Sequence, residues 1–246
     1  MQYMMRPGKI IFALILGVWL IFTGSVAAEE RFPVIFEATK KAVLSAELAG
    51  VLKKMNYGVG STIKKGSVIA EVDTGDLALR KKRSVMSLKH LSGKAENLGR
   101  LINKGLATNE ELAQAVMERD VIKTDIEILK RQISKARIRA PFNCALTRRN
   151  AQAHEWVTVG QPVVDVVNTS GLRAVGNIPS ALSVTLKKGD THSFYVSDLD
   201  VTVMGTVTAV APEVDELSNT TQVLWQIKKE SHPMISGMKG EVTIER

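Results

Sequence analysis

The sequence predicts a mainly β fold of the α+β class, in which a β-domain is split by an inserted pair of helices and is followed by a small β-barrel. Three observations predict it: a gapless internal repeat rich in β-branched residues, heptad-spaced apolar residues between its two copies, and alternating strand-like segments after Leu172. Of the 246 residues, 45% are hydrophobic and 24% are charged, so the chain can bury one or more cores.

The internal repeat aligns residues 50–72 with residues 144–166 at a constant offset. Leu52 then falls on Leu146, and short runs of β-branched residues alternate with turn residues in both copies. Half a sheet exposes an apolar face that only its twin can cover, so we expect the two copies to pack together. Glycines are expected at turns that need a positive φ, at Gly60, Gly66 and Gly160.

The residues between the two copies change to helical periodicity. Two series of apolar residues advance in steps of mostly three and four, the pattern of a heptad seam, and only Arg119 interrupts the second series. Two such seams predict two helices that pack on each other. The series are Leu88, Leu91, Ala95, Leu98 and Ile102, and then Leu112, Ala115, Ile122, Ile126, Leu129, Ile133 and Ala136.

A short connection between the seams predicts that the two helices are antiparallel. Gly105 is suited to the end of the first helix, and Thr108 with Glu111 forms a capping-box signal for the start of the second. We therefore predict a helical hairpin over residues 75–137. At a rise of about 1.5 Å per residue, its arm has a length on the order of 40 Å.

The first 28 residues differ in character from the rest of the chain. Arg6 and Lys9 precede an uncharged apolar run over residues 10–22, and a V-A-A sequence ends the segment. This pattern predicts a secretory signal peptide cleaved before Glu29. An uncleaved membrane anchor is the alternative, because the apolar stretch extended to Ala28 nearly reaches the ~20 residues that span a bilayer. In both cases we expect the bulk of the chain outside the cytoplasm.

Composition and motifs argue against catalysis and against nucleic-acid binding. The formal charge is +8, but basic and acidic residues are interleaved and aromatic residues are few. Cys144 is the one cysteine, so no disulfide can form within the chain. The histidines lack a metal-binding spacing and no G-x-S-x-G motif occurs, so we predict no catalytic, metal or cofactor site. These histidines are His90, His154, His192 and His232.

Three segments, taken in order, resemble one known family. They are SAELAGVLKKMNYGVGSTIKKGSVIAEVD, then ARIRAPFNCALTRRNAQAHEWVTVGQPVVDVV, and then GTVTAVAPEVDELSNTTQVLWQI with ISGMKGEVTI. Together they are similar to the periplasmic adaptor, or membrane fusion, proteins (HlyD-like) of tripartite efflux pumps and type I secretion systems. The resemblance implies a lipoyl-like domain of the barrel-sandwich hybrid type, split by the helical hairpin and followed by a β-barrel.

The resemblance also implies a division of the chain. Three features depart from the family. Cys144 and His154 stand where glycine is usual, and Ser236 stands where proline is usual. The sequence also stops at Arg246, where members that dock on resistance-nodulation-division (RND) pumps usually continue. The expected parts are a signal peptide or anchor (1–28), an N-terminal strand segment (29–42), a split lipoyl-like domain (43–74 and 138–170), the coiled-coil hairpin (75–137) and a β-barrel domain (171–246).

The partners implied by the resemblance are an inner-membrane transporter and an outer-membrane channel, bridged in the periplasm by a ring or tube of identical copies. An RND transporter is favoured, and an ATP-binding cassette exporter is the alternative.

Many members carry Arg, Leu and Ser or Thr at set spacings in the hairpin tip. Here Leu101 and Thr108 keep these spacings and Asn97 takes the Arg position, although tip packing and helix capping explain Leu101 and Thr108 as well. The implied partner-binding residues are Asn97, Arg100, Leu101, Leu106 and Thr108.

Two other classes of function stay open. The β-motif also resembles a biotinyl or lipoyl carrier domain, which needs a modifiable Lys in the turn that joins its halves. Here the predicted hairpin occupies that junction, and no E-A-M-K motif occurs. The other alternative is an envelope scaffold without a transporter partner. The adaptor interpretation implies neither enzyme activity nor a cofactor.

Overall fold

A computed structural model describes residues 29–228 and 233–245 of the chain. The segment predicted as a signal peptide or anchor lies outside these residues. Among the residues described, no helix has both the length and the apolar character that crossing a membrane requires. In chain order, the strands and helices are β1 (Glu29–Ala38), β2 (Lys41–Ser45), β3 (Gly50–Met55), β4 (Thr62–Ile63), β5 (Val68–Val72), α1 (Gly75–Ile102), α2 (Asn109–Lys135), β6 (Arg137–Arg139), β7 (Cys144–Arg149), β8 (Trp156–Val157), β9 (Pro162–Asn168), β10 (Leu172–Pro179), α3 (Ser180–Ser183), β11 (Thr191–Val196), β12 (Val201–Asp215), β13 (Thr220–Ile227) and β14 (Lys239–Glu245).

Two four-stranded sheets, in the orders β2-β9-β7-β4 and β6-β5-β3-β8, form one β unit, here called the split body. The two copies of the repeat exchange strands, because β4 of the first copy pairs with β7 of the second, and β8 of the second pairs with β3 of the first. Each copy thus completes the sheet of the other. Matching repeat positions meet in one core and are at most 1% exposed: Leu52 and Leu146, Ile63 and Val157, Ile69 and Val163, Val72 and Val166.

The turns of the split body follow the same repeat. Gly66 and Gly160 have φ of 82° and 84°, and the N–H of each donates to a carbonyl oxygen 2.8 Å away. Gly60 has φ of 84°, and His154, at the matching position of the second copy, has φ of 73°. Histidine is among the side chains that enter the left-handed region more readily than most, so His154 occupies this turn in place of a glycine.

Six antiparallel strands close the second β unit, here called the barrel, in the order β1-β10-β13-β12-β11-β14. This closed barrel in a mainly β structure confirms the predicted fold class at that level. Residues 29–42 are predicted from the sequence as a separate strand segment, but β1 lies between β10 and β14 and completes the barrel. Its core is aromatic, since Phe36, Phe194 and Trp225 are fully buried against one another.

The two long helices α1 and α2 pack on each other between the two copies of the repeat. Small and branched side chains fill their seam, where Ala95, Ala115 and Ile126 are buried. Because 28-residue α1 and 27-residue α2 are joined by a short turn, they run antiparallel. The helix pair extends on the order of 40 Å at a rise of about 1.5 Å per residue.

Candidate docking site at the tip of the helix pair

The tip of the helix pair is a tight turn that the sequence builds from glycine and helix-ending hydrogen bonds. Gly105 adopts φ of 72°, a left-handed conformation that glycine reaches without a steric penalty. The backbone N–H groups of Lys104 and Leu106 each donate to Leu101 O at 3.0 Å. Gly105 N donates to Ile102 O at 2.9 Å, so the last two carbonyls of α1 are satisfied where the chain reverses.

A complete capping box begins α2. Glu111 N donates to Thr108 Oγ1 at 3.2 Å, and Thr108 N donates to Glu111 Oε2 at 2.8 Å. The pKa of Glu111 is lowered, chiefly because its carboxylate accepts the Thr108 backbone N–H and, next, the Thr108 hydroxyl proton. The hydroxyl of Thr108 is therefore already hydrogen-bonded to Glu111, which leaves it only partly available to a partner.

The other predicted tip residues share the end of α1 and the turn. Leu106 is 71% exposed and Leu101 is 37% exposed, so both present apolar surface to solvent. Arg100 Nη2 donates to Asn97 Oδ1 one turn below the tip. The structure thus brings all five residues into one region, where Leu106 is the most exposed apolar side chain.

The two helices differ in charge. Helix α1 carries seven Lys or Arg residues and two Asp or Glu residues, whereas α2 carries five and six, respectively. Lys94 Nζ bridges the pair at 3.3 Å from Glu118 Oε2. The outer face of α1 therefore attracts acidic surfaces more strongly than α2 does.

The remaining titratable groups of interest belong to the two cores. In the part of the chain that the structure describes, no three His, Cys, Asp or Glu residues are grouped so that they could hold a metal ion. Cys144 is buried in the split body, and this burial raises the pKa of its thiol. The tip, by contrast, offers recognition by shape, apolar contact and charge.

The turn between β12 and β13 carries an exposed apolar side chain that no sequence pattern indicates. Leu217 is fully exposed in the turn between β12 and β13. Asp215 Oδ1 accepts from the N–H groups of Leu217 at 3.1 Å and Ser218 at 2.9 Å, which holds this turn in shape. The turn residues are readable in the sequence, but the exposure of one Leu among them depends on how far β12 extends beyond the barrel core.

Comparison with solved structures places this architecture among known folds. A MacA–MexA chimeric protein that contains the α-hairpin domain of Pseudomonas aeruginosa MexA matches with a TM-score of 0.79 at 18% identity, over 89% of this chain and 81% of that one. A membrane fusion protein of Streptococcus pneumoniae matches with a TM-score of 0.75 at 11% identity, over 88% and 99% of the two chains. MacA of Actinobacillus actinomycetemcomitans matches with a TM-score of 0.66 at 16% identity, over 89% and 79%.

Comparison of sequences finds weaker similarity than comparison of structures. No protein-family model matches the chain. An uncharacterized protein of Haemophilus influenzae is 23% identical over 213 residues, which are 82% of this chain and 54% of that protein. The chain therefore spans about half the length of the curated relative that it matches. From the structural matches, the chain has the fold of the membrane fusion, or periplasmic adaptor, proteins that its sequence resembles.

Proposed function

We propose that the chain is a periplasmic adaptor that bridges an inner-membrane transporter and an outer-membrane channel. The observation that carries the proposal is a two-helix arm that leaves one β body between two halves of the same core. In this interpretation the split body is a lipoyl-like domain of the barrel-sandwich hybrid type, and α1 with α2 is its helical hairpin. The protein would hold its two partners in position against each other, and it would transform no substrate.

The base of the arm supports this function mechanically. Helix α1 follows β5 and α2 precedes β6, and these strands are neighbours in one sheet. Val72 N donates to Ala136 O at 2.9 Å, so the two helix bases are held at strand spacing. A lone pair of helices buries too little surface to keep its direction, and the sheet supplies the missing constraint.

Charge and exposure support assembly around an axis. The basic face of α1 and the more acidic α2 would lie side by side if identical copies packed as a ring or tube. The tips would then form a circle, on which the exposed Leu106 and Leu101 offer apolar contacts to the helices of a channel protein. We place the assembly in the periplasm, held at the inner membrane by its transporter and, if uncleaved, by the N-terminal apolar segment.

We favour an RND-type transporter as the inner-membrane partner and keep an ATP-binding cassette exporter as the alternative. The genes beside the one that encodes this chain distinguish the two, because a proton-driven pump and an ATP-binding subunit have different sequence motifs.

Site-specific photo-cross-linking tests docking at the tip. A photoreactive residue at position 104, in cells that produce the chain from its own locus, should form an adduct with an outer-membrane channel protein. The additional substitution Leu106→Glu should reduce the adduct by about tenfold or more, because it places a carboxylate in an apolar contact.

The matched control is Val59→Glu, which changes an equally apolar and 63% exposed residue in a turn of the split body. It should leave the adduct unchanged. Docking through the tip is contradicted if no adduct with a channel protein forms, or if both substitutions reduce the adduct equally.

A further inference from the structure

The barrel and the split body are connected by little apolar packing. Their hydrophobic cores have no residue in common. Among the described residues, no strand or helix of the barrel makes more than a marginal contact with an element of the split body. A cleft of about 630 Å³ opens at their junction, with Ala145 and Val167 on one side and Leu172 and Ile227 on the other. Packing between the two bodies therefore does not set their relative orientation.

Two short linkers join the bodies instead. In the described part of the chain, the backbone crosses between them through residues 39–40, which follow β1, and through residues 169–171, which follow β9. Asn168, the last residue of β9, lies between the two linkers and is 7% exposed. It is one of the few buried polar residues in the described structure.

The Asn168 side chain bonds to both linkers. Its Oδ1 accepts from Lys40 N at 3.0 Å, and its Nδ2 donates to Thr39 Oγ1 at 2.7 Å and to Ser170 Oγ at 3.2 Å. Each polar atom of the amide is thus in use. The linkers also touch each other, since Thr39 N donates to Gly171 O at 3.3 Å.

We propose that Asn168 is a positioning residue that fastens both linkers and thereby sets the direction of the helix pair relative to the barrel. A buried amide whose partners are removed carries the full cost of its desolvation, so the fastened arrangement is strongly preferred over alternatives that break these bonds. The ion pair between Lys41 and Glu37, at 3.5 Å, also crosses the junction, but Lys41 is solvent-exposed and Glu37 is only half-buried, so the pair contributes little.

Because the arm is long, a small rotation at the linkers becomes a large displacement of the tip. On an arm on the order of 40 Å, a rotation of about 10° at the linkers moves the tip by about 7 Å. Asn168 would fix this direction in the isolated protein, whether or not the chain acts as an adaptor. If that function holds, the residue decides where the tip meets its partner.

Distance measurement by double electron–electron resonance in the full-length chain tests the proposal. Spin labels on Lys130→Cys in α2 and Lys188→Cys in the barrel report the direction of the arm. Cys144 is buried and does not compete for the label. Asn168→Ala should broaden the distance distribution about twofold, because only the backbone bonds from Asn168 N to Lys40 O and from Thr39 N to Gly171 O then hold the linkers, which allows a hinge motion.

The matched control is Asn150→Ala, which removes a hydrogen bond of 2.7 Å between Asn150 Nδ2 and Asp165 Oδ1 inside the split body. It should leave the distribution unchanged. Thr39→Val keeps the side-chain shape but removes one partner of Asn168, so it should broaden the distribution less, and it should add nothing to Asn168→Ala.

Three results overturn the proposal. They are an unchanged distribution in both Asn168→Ala and Thr39→Val, a lowered melting temperature without broadening, and equal broadening by Asn150→Ala. If Asn168→Ala does not fold, Thr39→Val alone decides the question.

Discussion

At the scale of single residues, a half-buried histidine beside the barrel core has a charge state that affects stability. Trp225 is fully buried, and its indole Nε1 donates to His192 Nδ1 at 3.2 Å, with the two rings edge to face. For Nδ1 to accept this bond, the imidazole must be neutral. Burial lowers the pKa of His192 below its ordinary value of 6.5, although the carboxylates of Asp190 and Glu245 oppose this effect.

We expect barrel stability to depend on pH through His192. The unfolded chain takes up a proton at the ordinary pKa of 6.5, whereas the folded barrel takes it up only at lower pH. The free energy of unfolding should therefore fall as the pH drops below about 6.5, and rise again with pH across the same window. Urea unfolding followed by Trp fluorescence at about pH 7.5 and about pH 5 measures this difference.

His192→Gln should flatten this pH dependence, because a neutral amide oxygen can accept the Trp225 bond at both pH values. His90→Gln, on the exposed face of α1, serves as the control and should leave the dependence intact. An unchanged slope in His192→Gln would exclude His192 as the responsible group.

At the scale of elements, most features of the helix pair depend on residues that are close together in the sequence. The steps of three and four, the glycine in the turn and the capping box are all visible in the sequence, because each depends on residues within one or two turns of a helix. The alternation of the barrel strands is equally local. The exposure of tip residues such as Leu106 is less readable, since it depends on how the turn projects from the end of the pair.

The helix seam predicts a contrast between two isoleucines of α2. Ile126 is 5% exposed in the seam, and Ile128 is 49% exposed on the outer face. Ile126→Ala should lower the free energy of unfolding of the helix pair by about 2 kcal/mol, because it leaves a cavity. Ile128→Ala should change it by less than about 0.5 kcal/mol, because little burial is lost and Ala favours helix.

Thermal unfolding followed by far-UV circular dichroism measures both variants. Equal effects of the two substitutions would mean that the seam does not run through Ile126.

At the scale of the whole molecule, closure of the barrel depends on close contacts between strands from distant parts of the sequence. Gly240 in β14 lies opposite Val34 of β1 on one side and Val196 of β11 on the other. A Cβ at position 240 would lie 2.2 Å from Tyr195 O and 2.8 Å from Phe36 Cε2. No side chain fits there without moving backbone.

Gly240→Ala should therefore destabilise the barrel by about 3 kcal/mol, because strands must separate to admit one methyl group. Unfolding followed by Trp225 fluorescence measures this effect. The fluorescence change should lose its cooperativity, while the far-UV circular dichroism of the helices is retained. Gly93→Ala, in α1 where an added Cβ meets open space, should instead stabilise the protein by up to about 1 kcal/mol. A barrel transition unaltered by Gly240→Ala would contradict the closure argument.

The sequence by itself determined the two copies of the repeat, the alternation of strands, the heptad spacing and the turn chemistry, since all of these follow from the order of neighbouring residues. Only the tertiary structure decided that β1 closes the barrel, that the copies exchange β4 and β8, and that Asn168 lies between both linkers. These arrangements join residues that are as many as about two hundred positions apart. Their pairing depends on which strand edges and polar atoms stay unsatisfied after the local elements form, and no local pattern encodes that competition.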